Sequence, residues 1–221
     1  MTSGRIKRIR YMPYKMEIAL RVVKEIGLRL VPMDPSKIDF GEDITNGFTL
    51  TNDWPHYKKL IQYFHGDEQF EGDLNKGLLI TGPTGTGKSL SMSIMREYRK
   101  VDDIKFIYDG NAIDLSYDVV NGYMINSAFM DKGYPALQEY INRAVLYIDD
   151  FGVETREVQH FGTKCDAVEY ILSERHRMGK LTLASSNLPD TELHKVYGDR
   201  LYSRFKEMFN VITLLGNDKR K

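Results

Sequence analysis

Apolar positions recur with two different periods along the chain. Over residues 14–30 they return at helical steps: Ile18, Val22 and Ile26, joined by Ala19, Val23 and Leu30. Arg21, Lys24, Glu25 and Arg29 fill the polar face. This predicts an amphipathic helix, ended by Pro32 and Pro35. The segment 36–52 has little periodicity and reads as a linker. A second helix is expected over 53–65, with Asp53 as N-cap and Pro55 in its first turn.

From Lys76 the pattern becomes short apolar runs alternating with helical ones. Strands are expected at 77–81, 104–108, 144–148, 181–184 and 210–215. Helices are expected at 89–99, 163–178 and 190–208, with helical pieces between 111 and 142 broken at Gly122 and at Gly133–Pro135. Thr163 and Asp166 suggest a capping box for the 163–178 helix, and Gly179 ends it. Such alternation points to an α/β fold with a parallel sheet covered on both faces.

Composition changes this picture little. The 221 residues suit one α/β domain with a short appendage. Lys plus Arg and Asp plus Glu both number 31, so any nucleic-acid contact needs a local basic patch. Arg5, Lys7, Arg8 and Arg10 form such a patch in the first twelve residues. Cys165 is the single cysteine, which excludes an internal disulfide framework and reads as a small, semi-buried helix residue. No apolar run is long enough to span a membrane, and no signal-peptide core follows the basic start. A cytoplasmic setting is the expectation.

The candidate chemistry begins at Gly82-Pro83-Thr84-Gly85-Thr86-Gly87-Lys88-Ser89, a full match to the phosphate-loop pattern G-x-x-x-x-G-K-[ST], with Leu90 following in the helix. The glycines let successive N–H groups converge on phosphate oxygens. The helix that follows aims its positive end at the same point. Lys88 is placed for the β- and γ-phosphates and Ser89 for Mg²⁺. The expected ligands are therefore ATP or ADP with Mg²⁺. The strand Val145-Leu146-Tyr147-Ile148 runs into Asp149 and Asp150. Asp149 is the candidate Mg²⁺ ligand and Asp150 the candidate general base. The strand expected at 104–108, between the phosphate-loop helix and the acidic strand, favours an ATPase over a small-molecule kinase. Asn187, at the end of the next strand, is a candidate for orienting the attacking water. Arg200 and Arg204 lie four apart on one helix face, and either is a candidate arginine finger for a neighbouring subunit. Arg220 is a candidate phosphate sensor.

Together, Gly82 to Ser89, Leu146 to Gly152, Ser185-Ser186-Asn187-Leu188 and Asp199 to Phe205 resemble the AAA+ ATPases of the helicase-loader and transposition-helper group, the DnaC/IstB type. Glu169 to Arg175 adds to the likeness. The resemblance covers about residues 45–220. It implies a P-loop NTPase three-layer α/β/α sandwich with five strands in the order 5-1-4-3-2. It implies an ATPase domain over 46–221, behind an N-terminal extension over 1–45 that carries the basic arm and a helix and sets the partner. It also implies ATP-dependent self-assembly and action on a replicative helicase, a transposase or single-stranded DNA. Motif matching gives Arg204 the finger position with Arg200 in reserve, and gives Arg220 the second sensor role. Two departures stand out. Asp150 occupies a position where Glu is usual, which suggests slow hydrolysis. The helical lid domain of larger members is expected to be missing. A nucleotide-gated scaffold with little hydrolysis is the alternative, and a small-molecule phosphotransferase a more distant one.

Overall fold

The computed structural model describes residues 12–31, 48, 54–101, 103–108 and 111–216. The basic arm, Asp53, most of the expected linker and Arg220 lie outside them. The described residues divide into two compact units. One holds Gly72–Ser89 and those from Lys105 onward. The other holds those up to Glu71, together with Leu90–Ile104.

The first unit is built on a five-stranded sheet. Its strands are β1 (Gly77–Thr81), β4 (Asp118–Asn121), β5 (Val145–Asp149), β8 (Leu181–Ser186) and β9 (Phe209–Thr213), in the spatial order β4-β5-β8-β1-β9. All neighbouring pairs are parallel. Numbered within this sheet alone, the order is the expected 5-1-4-3-2. Every residue of β1 and β8 is buried, as a parallel strand covered on both faces requires. Leu79, Leu146, Ile148 and Ala184 share a core with the flanking helices α4 (Gly122–Lys132), α5 (Tyr134–Asn142), α6 (Ala167–Arg177) and α7 (Asp190–Met208).

One expected strand does not join this sheet. Residues 105–108 form β2, which pairs antiparallel with β3 (Asn111–Asp114) as a separate two-stranded unit. Asp118–Asn121 takes the sheet edge instead, beside β5. A short edge strand needs only one inward side chain. Here that is Val120, while Asp118 and Val119 stay exposed, so the segment shows no apolar run. The helical pieces expected from 111 therefore begin only at Gly122, where Asn121 caps α4 by accepting from the Met124 amide.

A second correction falls at 163–166. Thr163–Cys165 is a strand, β7, paired with β6 (Val158–His160). Helix α6 starts at Ala167, and Asp166 is its N-cap, accepting from the Glu169 amide at 2.8 Å. Cys165 is thus a buried strand residue, and burial pushes its thiol pKa up. Gly179 does end the helix, at φ 64°. The long helix α7 is kinked at Gly198, where φ is 70° and ψ 172°.

In the second unit α1 (Met16–Leu30) packs with α2 (Trp54–His65), and most of α3 (Lys88–Val101) lies here too. The buried stripe of α1 is Ala19, Leu20, Val23, Ile26 and Gly27. Ile18, expected inside, is 55% exposed, and Leu30 is exposed as well. The reason sits at Gly27: a Cβ there would lie 2.2 Å from the Phe48 ring, so the helix turns its glycine face inward.

Candidate nucleotide site

The phosphate loop joins β1 to α3. Gly82, Gly85 and Gly87 have φ values of 149°, 81° and 93°. Side chains avoid this region, so the spacing of glycines follows the path of the backbone. At Gly82 there is a second reason. A Cβ there would lie 2.4 Å from the Leu214 carbonyl, just beyond β9, where the Leu214 amide donates to the Thr81 carbonyl at 2.7 Å. Around Gly87 the space is open: a Cβ there would meet nothing within 4 Å. The loop braces itself. Thr86 Oγ1 donates to the Pro83 carbonyl at 2.8 Å, and buried Lys88 donates through Nζ to the Gly82 and Pro83 carbonyls at 2.7 and 2.8 Å.

Opposite the loop, β5 ends in the acidic pair. Ser89 Oγ donates to Asp149 Oδ1 at 2.8 Å, so the phosphate-loop hydroxyl and the carboxylate meet across 60 residues of sequence. Asp149 Oδ1 also accepts from Tyr147 at 2.6 Å and from the Ser185 hydroxyl. Burial, and then the nearby Asp149 charge, push the Tyr147 phenol well above its ordinary pKa. Asp150 follows with φ 53°, a left-handed conformation. Its amide donates to Ser185 Oγ at 3.2 Å, and its Oδ1 accepts from the Asn187 side-chain amide. Asp enters this region more readily than a longer side chain does, which is a physical reason for Asp rather than Glu here.

The turn is anchored further along. Phe151 N donates to the Ser185 carbonyl at 2.7 Å, and Ser186 Oγ donates to the Phe151 carbonyl at 2.6 Å. Buried Glu154 accepts from the Gly152 amide at 2.8 Å and from the Tyr197 hydroxyl on α7. Burial, with the charge of Glu154, raises the Tyr197 pKa far beyond its usual value. Arg156 lies over the Tyr197 ring, 4.1 Å from its centroid, and pairs with Asp166 and Glu169.

Ser89, Asp149, Asp150 and Asn187 are thus brought into one cluster beside the phosphate loop. Among the described residues, no hydrogen bond or ion pair joins the two arginines to it. Arg204 donates to Ser173 Oγ on α6 at 2.6 Å, and Arg200 is exposed, two residues past the Gly198 kink. Tyr147 and Ser185 join the cluster although no motif singles them out as site residues. Their signal was present: Tyr147 lies two residues before Asp149 on the same strand face, and Ser185 lies one step past the Ile148–Ala184 pairing.

The donor set suits magnesium. Ser89 Oγ and Asp149 Oδ1 are hard oxygen donors held side by side, and no group of three or more His, Cys, Asp or Glu able to hold a metal occurs among the described residues. Mg²⁺ commonly takes one or two protein oxygens and completes its shell with water and phosphate.

No protein-family profile matches the sequence, and no curated protein does. Solved structures do match. DnaI aligns with a TM-score of 0.55 and 19% identity, over 89% of this chain and 93% of that one. The DnaC helicase loader aligns at 0.52 and 18%, over 76% and 92%. AMPPCP-bound DnaA from Aquifex aeolicus aligns at 0.51 and 16%, over 79% of this chain and 50% of that one. The chain shares the fold of these structures, a five-stranded parallel sheet flanked by helices. At these identities the likeness speaks for architecture, and the chemistry rests on the residues above.

Proposed function

We propose that this chain is a Mg²⁺-dependent ATPase of the AAA+ type that serves DNA replication or transposition as a loader or helper. The observation that carries this reading is the Ser89–Asp149 contact, flanked by Asp150 and Asn187, at the mouth of a phosphate loop. A loop alone only binds phosphate. A paired carboxylate and amide beside it supply a base and a water-orienting group.

In this reading Lys88 exchanges its two loop carbonyls for nucleotide phosphate oxygens, and the amides of 84–89 surround the phosphates. Ser89 and Asp149 hold the Mg²⁺, which neutralises charge on the β- and γ-phosphates when bound. Asp150 takes the proton of the attacking water, and Asn187 fixes the Asp150 carboxylate while its own amide faces the same water. An arginine from a second protomer completes the site. Arg200, exposed and outside any ion pair among the described residues, is free to reach it, whereas Arg204 would first have to release Ser173. Arg220 remains the proposed second sensor. The expected partners are further copies of the chain, a replicative helicase or transposase, and single-stranded DNA reached through the basic arm at residues 5–10. No described helix is long and apolar enough to cross a membrane.

Steady-state phosphate release, with and without single-stranded DNA, tests this, combined with size analysis in ATP, ADP and no nucleotide. ATP-dependent assembly with DNA-stimulated release supports the reading. Binding and assembly without turnover would instead favour a nucleotide-gated scaffold, and phosphate found on an acceptor other than water a phosphotransferase.

A further inference from the structure

Three hydroxyls converge on a single oxygen of Asp149: those of Ser89, Tyr147 and Ser185. Ser89 belongs to the phosphate loop and is the one expected to turn toward a metal. The other two belong to the sheet. Tyr147 is almost wholly buried on β5, and Ser185 is buried on β8.

The proton arrangement has one consistent direction. The Asp150 amide donates to Ser185 Oγ, the Ser185 hydroxyl donates to Asp149 Oδ1, and the Tyr147 hydroxyl donates to the same oxygen. The 3.1 Å approach of Tyr147 to Ser185 closes the triangle. One serine therefore ties together the side chain of Asp149 and the backbone of Asp150. Its own carbonyl accepts from the next amide, Phe151. Purely structural packing would not need it: an apolar residue at either position would fill the same interior of a parallel sheet. Two buried hydroxyls spent on one carboxylate oxygen orient that carboxylate.

We propose that Tyr147 and Ser185 are positioning residues for magnesium, holding the Asp149 carboxylate in one orientation beside Ser89 so that the metal meets a preset ligand. The inference rests on the magnesium-nucleotide reading of the site. Carboxylate ligands held by outer hydrogen-bond partners typically lose about 10- to 100-fold in metal affinity when those partners are removed. Neither residue touches the nucleotide in this scheme, so both act through Asp149.

The test is the affinity for AMPPCP measured by calorimetry with Mg²⁺ and with a chelator, in the full chain. The readout is the ratio of the two affinities, which general damage to the fold would not change selectively. Tyr147→Phe, which removes one oxygen and keeps the ring, is expected to cut this ratio roughly tenfold. Ser185→Ala should do the same, and Ser185→Thr, which restores a hydroxyl, should recover most of it. If Ser185→Ala does not fold, Tyr147→Phe decides alone. A parent protein that gains affinity with Mg²⁺, beside a Tyr147→Phe protein with the same gain, overturns the positioning role only. A parent protein indifferent to Mg²⁺ overturns the magnesium reading, and this inference with it.

Discussion

The two halves of the candidate nucleotide site are held in different ways. The phosphate loop is braced from within: Lys88 and Thr86 bond to carbonyls three to six residues away. The acidic turn is braced from outside, by Ser185 and Ser186 on β8 and through Glu154 by Tyr197 on α7. The loop's internal bonds lie within eight residues, so one contiguous motif describes them even though its walls come from β8 and β9. A turn braced by distant elements depends on the sheet being assembled. It should therefore respond to substitutions that never touch nucleotide.

The comparison breaks most sharply at Asp150. Asp150→Asn should lower turnover by about 10²- to 10⁴-fold while nucleotide affinity stays within a few-fold of the parent, read by phosphate release and calorimetry. Unchanged turnover would remove Asp150 from the base role. Lys88→Ala should do the reverse and act on binding, weakening nucleotide affinity on the order of 100-fold through the loss of charge-assisted bonds. If both variants fail in the same way, the division of labour between loop and turn is wrong.

Next in size is Tyr197→Phe. It strips one donor from the buried Glu154 carboxylate and should cost roughly 1–3 kcal/mol in a denaturant titration. The loss should leave phosphate-loop binding intact. The smallest effect is alkaline. The folded pKa values of Tyr147 and Tyr197 lie above the ordinary tyrosine range. Their contribution to stability is therefore complete below about pH 10 and declines as pH rises past that point, because the unfolded chain ionises first. Titrating phenolate absorbance should place Tyr147 and Tyr197 among the tyrosines that ionise only as the protein unfolds. Tyr147→Phe should remove one of them.

What could be read from the sequence follows the same divide. Gly82 to Ser89, Asp149, Asp150 and Asn187 stood out as candidates because the proposed chemistry is demanding in residue type and spacing, and the structure gathers them. The strands themselves were readable because buried parallel strands are near-continuous apolar runs, while their order was implied by the family resemblance alone. The edge position was not readable. Phe106 and Ile107 gave residues 105–108 the stronger apolar signal, yet that strand pairs with 111–114, and Asp118–Asn121 closes the sheet with Val120 alone turned inward. Tyr147 and Ser185 were missed for a related reason. Each lies within an apolar strand run, and only the pairing of β5 with β8 shows what their hydroxyls reach.

The place of β1 has a consequence for how the protein is made. Its two neighbours, β8 and β9, come from residues 181–186 and 209–213, and the Leu214 amide closes over Thr81 at the mouth of the loop. A chain emerging from the ribosome has synthesised the phosphate loop long before either neighbour exists. Because sheet partners this far apart in sequence form late, the loop must wait for its walls until β8 and β9 have followed it. The wall that Leu214 supplies beside Gly82 is complete only when residue 214 has arrived.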